Sequence, residues 1–327
     1  MSREEIREAL IEELGSWTSG QKLASSLKIS RAAVWKAVQS LRAEGYDIES
    51  SKRGYRLESV PDLISEDLVK SGIRTRFVGR AVLSHQSLTS TNAEAKRIAP
   101  WAEEGTVVVA EVQTSGRGRM ERSWHSPKGG VWMSVILKPK IPPALASRVN
   151  MAAAVAVARA LEGLYGLDVR IKWPNDLLVG EKKISGILTE IGAEMDSLDY
   201  AVVGIGINAN LEPDHFPEEW KATSLSCLLG REVLRAELVR RVLEEVEDAS
   251  SDLESSFEGV REEWRLCSAT LGHRVRIVTR DGEFEGRAEA LGADGSLLVR
   301  RDDGRRKRVF AGDCIHLRPA TEMMDEG

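Results

Sequence analysis

Two glycines and two arginines alternate in Gly116-Arg117-Gly118-Arg119, with Gln113-Thr114-Ser115 before them and Arg122 three residues beyond. Glycine lets backbone N–H groups come close to an anion, and guanidinium forks match the oxygens of phosphates and carboxylates. The run reads as a loop that handles an anionic ligand or as a basic surface loop, and its composition leaves both open. A second group, Lys172-Trp173-Pro174-Asn175-Asp176, sets an ammonium, an amide and a carboxylate within five positions. Lys183 then opens Lys183-Ile184-Ser185-Gly186-Ile187-Leu188. A lysine at a strand start, near a glycine that permits close approach, could neutralise negative charge developing in a reaction; a solvated surface lysine is the ordinary alternative. A third run, Gly204-Ile205-Gly206-Ile207-Asn208-Ala209, has the G-x-G-x-x-A spacing of a dinucleotide loop. Asn210 and Pro213 follow at once, so no helix opens there, and the chain lacks the strand–helix alternation of a doubly wound sheet. The expectation is a loop that brings these glycines and Asn208 up to a ligand.

Such groups need strands and helices to carry them. Residues 106–111, 131–137, 168–172, 177–179, 184–191 and 200–207 are β-branched or alternating and predict strands. Residues 90–99, 146–164 and 235–257 have helical periodicity. The Gly-Arg run thus leaves a strand, and Lys172 to Asp176 joins two of them, in an α+β core spanning 66–268.

Upstream, residues 1–60 predict a winged helix-turn-helix. Ile6, Ala9, Leu10 and Leu14 form one apolar stripe, and Leu23, Ala24 and Leu27 another. Ser30 stands as N-cap of a third helix with Val34, Val38 and Leu41 on one face and Arg31, Trp35, Gln39 and Arg42 opposite. Short strands at 46–49 and 55–57 flank Ser50-Ser51-Lys52-Arg53-Gly54, a hairpin with a basic tip. From Lys22 to Arg56 eight Lys and Arg face three acids, in a chain whose formal net charge is -5. A helix in the major groove with a basic wing on the phosphates needs such local charge. Lys22, Arg31, Ala32, Trp35, Lys36, Gln39, Lys52 and Arg53 are therefore the candidate DNA contacts; a protein-binding module with a solvated basic face is the other reading. Residues 59–65, with Pro61, predict a linker ending on an N-cap.

Downstream, strand-like runs at 273–279, 284–291, 297–301 and 305–310 are separated by Asp281-Gly282, Asp294-Gly295 and Asp303-Gly304. Asp-Gly is a strong hairpin signal, and three of them without an intervening helix predict an SH3-like β-barrel over 270–320.

Composition excludes more than it selects. A chain of 327 residues, 42% hydrophobic and 30% charged, fits two or three globular domains. Its acidic balance excludes a chain devoted throughout to non-specific nucleic-acid binding. Cys227, Cys267 and Cys314 are far apart, which suggests neither a disulfide framework nor a zinc knuckle and fits a reducing cytoplasm. Met1 to Leu14 is amphipathic and rich in glutamate, unlike a signal peptide. The longest apolar runs, 151–158 and 200–207, fall short of the roughly 20 residues of a membrane span, so no membrane is expected.

In combination, Ser90-Thr91-Asn92, Gln113 to Arg119, Lys172 to Asp176, Lys183 to Leu188, Gly204 to Asn208 and Ala311-Gly312-Asp313 resemble the motifs of a known family. It is the bifunctional biotin protein ligase and biotin-operon repressor family of the BirA type, matched in order over nearly the whole chain. Ser30-Arg31-Ala32-Ala33-Val34-Trp35-Lys36 and Gly54-Tyr55-Arg56-Leu57 resemble that family's winged helix. The resemblance implies a core of the class II synthetase-like type and a two-step reaction. Biotin's carboxylate attacks the α-phosphate of ATP to give biotinyl-5′-AMP and pyrophosphate, and a lysine of the biotin carboxyl carrier protein then takes the biotin as an amide. It also implies Mg²⁺, operator DNA as a partner, and a homodimer when loaded with the adenylate.

By the same resemblance Ser90, Thr91, Asn92 and Gln113 line the biotin pocket, and Gly116, Arg117, Gly118 and Arg119 close over biotin and the adenylate phosphate. Lys183 bridges carboxylate and α-phosphate, so Lys183 and Arg119 are the catalytic candidates. Arg119 and Arg122 hold phosphates, Trp124 packs near the adenine, Lys172 and Asn175 bind ATP, and Asp176 with Asn208 helps place nucleotide and Mg²⁺. The chain departs from the family at three places. Met120 and Glu121 stand where its loop is often Arg and Gly, which makes this loop less basic and stiffer. Thr89 replaces an acidic residue often found before Ser-Thr-Asn. The segment 211–220 resembles the adenylate-covering loop only in position, with Trp220 as its lid residue. Two other functions fit parts of the pattern. A ligand-sensing transcription regulator without ligase activity would not need Arg117, Arg119 and Lys183 intact. Lipoate or octanoate ligases share the core but lack this winged helix and this Gly-Arg loop.

Overall fold

The computed structural model describes residues 2–43, 45–194, 197–279 and 282–317, and Leu63 ends one compact unit where Ile64 begins the next. In the first unit α1 (Ser2–Glu12), α2 (Gly20–Ser26) and α3 (Arg31–Ala43) close their apolar stripes on one another, burying Ile6, Leu10, Leu23, Val34, Val38 and Leu41. Ser19 and Ser30 cap α2 and α3 by accepting the N–H of Lys22 at 3.0 Å and of Ala33 at 3.1 Å. Lys28, at φ +53°, turns the chain between the two helices. β1 (Asp47–Ser51) and β2 (Gly54–Ser59) pair antiparallel as the wing. Thr18 bridges to Tyr55, and a Cβ on Gly54 would lie 2.1 Å from the Thr18 carbonyl oxygen, so only glycine fits that crossing.

The second unit begins with α4 (Glu66–Lys70), capped by Ser65. A seven-stranded sheet follows from β3 (Val82–Leu88), β4 (Val107–Gln113), β5 (Val131–Leu137), β6 (Val169–Lys172), β7 (Asp176–Val179), β8 (Lys182–Glu194) and β9 (Ser197–Ile207), in the order β3-β4-β5-β9-β8-β7-β6. Only the β3–β4 pair is parallel among the described residues. α5 (Thr91–Ile98) joins β3 to β4 and α6 (Ser147–Tyr165) joins β5 to β6; α7 (Leu225–Leu229), α8 (Arg235–Ser251) and α9 (Glu258–Leu266) follow β9. This is the expected α+β class. Three expectations change. β3 and α9 were not foreseen, and the helix expected over 235–257 stops at Ser251, where the chain turns through Phe257 at φ +57° into α9. The strand expected over 200–207 is found as the end of β9, so Gly204 to Ile207 come up to the cleft as strand and not as the loop also expected there, each glycine alternating with an isoleucine that must be buried.

That alternation divides the sheet. Val107, Val109, Met133, Val135, Ile187, Val203, Ile205 and Ile207 point to one side, where α6 and α8 pack on them. Val108, Ile136 and Val202 point to the other, under Ala95, Ile98 and Ala99 of α5 and its end. The stretch 143–165 is long and apolar enough to cross a membrane, which the shorter run 151–158 did not suggest. Its apolarity is used in the core: Val149, Met151 to Ala158, Ala160 and Leu161 are all buried.

β10 (Arg274–Thr279), β11 (Gly282–Leu291), β12 (Leu297–Arg301), β13 (Arg306–Val309) and β14 (Asp313–His316) form an antiparallel sheet in the SH3-like order β13-β12-β11-β10-β14. β14 adds a fifth strand to the four foreseen. Asp294 accepts the Ser296 N–H and Asp303 the Arg305 N–H, which is how the two later Asp-Gly turns close. Asp281 of the first, and the end of the 270–320 segment beyond Leu317, lie outside the described residues.

Candidate active site

Where β5, β9 and β8 lie side by side, the face away from α6 carries three glycines, Gly204, Gly206 and Gly186. Ser134, Gly204 and Leu188 are register neighbours, as are Trp132, Gly206 and Gly186. A Cβ on Gly204 would stand 2.1 Å from Asn92 Oδ1, and one on Gly206 or Gly186 would stand 2.7 Å from the Trp124 ring. The glycines thus create a slot in which α5 and Trp124 come down onto bare backbone.

α5 brings the polar wall. Ser90 is its N-cap, accepting the Ala93 N–H, and Thr91 and Asn92 are its first residues. Gln113 Oε1 accepts from the Thr91 N–H at 2.8 Å and from its hydroxyl at 3.1 Å, while Gln113 Nε2 donates to Ser126 Oγ at 2.9 Å. Ser134 Oγ donates to Asn92 Oδ1 at 2.6 Å, and Asn92 Nδ2 donates to the Leu188 carbonyl at 3.1 Å and to Glu190 Oε2 at 3.1 Å. These groups are nearly buried and satisfied by one another, so their positions are fixed before a ligand arrives. Ser134 and Glu190 were missed in the sequence. A serine in the middle of Val131-Trp132-Met133-Ser134-Val135-Ile136-Leu137 is a signal that could have found the first.

The cations come from three segments. The Gly-Arg loop folds back on itself, with Trp124 N–H donating to Gly116 O at 2.8 Å and Gly118 N–H to Arg122 O at 2.7 Å. Met120 and Glu121 at its tip are left-handed, at φ +52° and +60°. Arg119 reaches Asn175 Oδ1 at 3.3 Å. Burial pushes the Arg119 guanidinium below its ordinary range; Asp313 and Asp176 oppose this and Arg122 adds to it. Lys183 Nζ lies 2.5 Å from Asp176 Oδ1 and 4.9 Å above the Trp124 ring. Asn175 Nδ2 donates to the Ile187 carbonyl at 2.8 Å, tying the Lys172–Asp176 segment to β8. Lys172 lines the same cleft, and Asp313, Cys314 and Ile315 of β14 close it.

Ser90, Thr91, Asn92, Gln113, Arg117, Gly118, Arg119, Arg122, Trp124, Lys172, Asn175, Asp176 and Lys183 therefore meet in one cleft. Two expected members do not line it. Gly116 is buried behind it, where a Cβ would meet Trp124 O at 2.4 Å, so it shapes the loop. Asn208 is buried with its amide donating to the Thr223 carbonyl at 2.9 Å and the Lys183 carbonyl at 3.4 Å, so it anchors the end of the strand that carries Lys183. Trp220 stands half exposed, edge-on to His125 at 6.1 Å. Among the described residues no group of three or more His, Cys, Asp or Glu could hold a metal ion.

On the first unit, Arg31, Ala32, Trp35, Lys36, Lys52 and Arg53 are exposed and Gln39 is half-buried. Trp35, at 57% exposure, is a large apolar ring left in solvent beside two cations. Lys22 differs, since Glu13 holds its ammonium at 2.5 Å.

Comparison with known proteins places both units. The Biotin/lipoate A/B protein ligase family matches residues 82–208, an HTH domain matches 3–56, and the Biotin protein ligase C terminal domain matches 270–317. The bifunctional ligase/repressor BirA of Bacillus subtilis is 40% identical over 95% of this chain and 97% of its own. That of Escherichia coli is 27% identical over 88% and 89%. The biotin protein ligase from Aquifex aeolicus in complex with biotin and ATP superposes with a TM-score of 0.63 at 29% identity, covering 73% of this chain and all of that one.

Proposed function

The chain belongs to the biotin protein ligase family, of the kind that is both ligase and repressor, and from that premise we propose how its residues divide the work. It activates biotin with ATP to biotinyl-5′-AMP and pyrophosphate, then transfers biotin to a lysine of a biotin carboxyl carrier protein. The observation that carries the assignment is that Arg117, Arg119, Arg122, Lys172 and Lys183 converge on a glycine-floored slot beside a satisfied polar wall. Bringing a carboxylate to a triphosphate is opposed by like charge, so positioning and positive charge supply most of the catalysis.

In this reading biotin enters the slot over Gly204, with Ser90, Thr91, Asn92 and Gln113 around it. Lys183 neutralises the carboxylate and the α-phosphate as the carboxylate oxygen bonds to phosphorus and the bond to pyrophosphate breaks. Arg119 and Arg122 hold phosphate oxygens, and Trp124 offers its ring to the adenine. In the second step the carrier lysine attacks the acyl carbon and AMP leaves. Asp176, which also pairs with Lys183, would be the carboxylate to hold a Mg²⁺ ion brought with ATP, and such an ion would neutralise charge on the phosphates. Replacing Lys183 by Ala should abolish pyrophosphate release while the circular dichroism spectrum is kept; normal release by that variant would sink the assignment.

For repression, α3 offers Arg31, Ala32, Trp35, Lys36 and Gln39 to the major groove, and Lys52 and Arg53 of the wing approach the phosphates. We place both activities in the cytoplasm, with the protein a homodimer when loaded with the adenylate. A gel shift on operator DNA, with and without biotin and ATP, tests this. Binding that ignores both ligands ends the co-repressor reading.

A further inference from the structure

Ala311-Gly312-Asp313 brings the C-terminal barrel into the cleft. Gly312 has φ +148°, and a Cβ there would lie 2.7 Å from the Val278 carbonyl oxygen, so the chain crosses β10 where only glycine fits. The crossing sets Asp313 opposite Val278 at the start of β14, with its carboxylate paired to Arg122 of the catalytic loop. The Asp313 side chain is 20% exposed and that of Arg122 68%, so the carboxylate is the fixed partner and the guanidinium the one that reaches. The loop needs such a hold. Its tip puts two consecutive residues with Cβ atoms, Met120 and Glu121, in the left-handed region, which sterics disfavour. The same tip shares a groove with Lys307, Val309 and Phe310 of the barrel.

We propose that Asp313 is a positioning residue for the ligase reaction: it latches Arg122, holds the strained loop in its working shape before substrates arrive, and hands the guanidinium to the incoming ATP phosphates. The role rests on the ligase reading, but the latch itself can be tested without it. In ligand-free full-length protein, trypsin should cut after Arg119 and Arg122 several-fold faster in Asp313→Asn than in the parent chain, with peptides identified by mass spectrometry. Asp313→Glu should restore protection. In the adenylation assay Asp313→Asn should raise the KM for ATP about tenfold, the size expected of a coupled neighbouring pair, with kcat changed much less. In an Arg122→Gln background the same change should add nothing. Should Asp313→Asn fail to fold, Arg122→Gln, changed at an exposed side chain, must show the same faster cleavage after Arg119 in ligand-free protein. Unchanged cleavage in Asp313→Asn, or a KM effect that adds in full to that of Arg122→Gln, overturns the proposal. Faster loop cleavage in a chain that makes no adenylate would refute the ligase reading and leave the latch standing.

Discussion

On β9, Gly204 and Gly206 face the cleft while Ile205 and Ile207 face α6, and on β5 Ser134 faces the cleft between Met133 and Val135 on the other side. Glycine inside a strand costs about 0.5–1 kcal/mol relative to alanine, so the cleft face weakens the strands that form it. The opposite face offsets that with a close-packed layer of valine, isoleucine and methionine on α6 and α8. The ligand slot exists because side chains are absent, and the sheet tolerates their absence because its other face is full. Function and stability are thus separated by alternation along the same strands.

The strongest test is at the charged exception on the packed side. Glu111 and Arg235 are almost fully buried, 2.9 Å apart; Glu111 also accepts the Ile64 N–H at 2.9 Å, and Arg235 donates to the Gly130 carbonyl at 3.0 Å. Arg235→Leu should cost about 3–5 kcal/mol, because it leaves a buried carboxylate unpaired. Urea unfolding measures it, and a loss under 1 kcal/mol would show that this face tolerates charge as the cleft does. Next comes Gly206→Val, which should cut the kcat/KM of adenylate formation by roughly 100-fold by displacing Trp124, with the unfolding midpoint nearly unchanged. If it unfolds the chain instead, the two faces are not separable. Ile205→Val should do the converse, costing about 1 kcal/mol in stability with substrate KM values unmoved.

The smallest effect lies on the barrel. His316 is pushed down to about 4, first by burial and then by Lys172 and His273. The unfolded chain takes up that proton near pH 6.5 and the folded chain only near pH 4, so its contribution is intact above pH 6.5 and drains away between the two. Discounted for partial solvent contact, the loss is about 1 kcal/mol, and His316→Gln should flatten that slope in acid unfolding.

Much of this was legible in the sequence, and the gaps have physical causes. Strands such as 131–137 announce themselves because both faces are buried, whereas β3 is an edge strand whose Val82-Leu83-Ser84-His85-Gln86-Ser87-Leu88 leaves most positions in solvent and carries little apolar signal. The cleft residues could be named because their motifs are local. Ser134 and Asp313 act through partners 42 and 191 positions away, Asn92 and Arg122, and no spacing rule reports such a contact. Asn208 and Gly116 belong to the same motifs yet stand behind the cleft, since a motif names a residue without saying which side of the backbone it serves.

The Gly204 floor has one more consequence, for how the site can change. A position that already lacks a side chain cannot give up more volume, so every mutation there can only make the slot shallower. Asn92, whose amide oxygen fills the space a Cβ would need, sits at the same limit from above. A lineage or an engineer seeking room for a longer acid must therefore move the rim, at α5 or the Gly-Arg loop, because the floor is already as low as the amino acid alphabet allows.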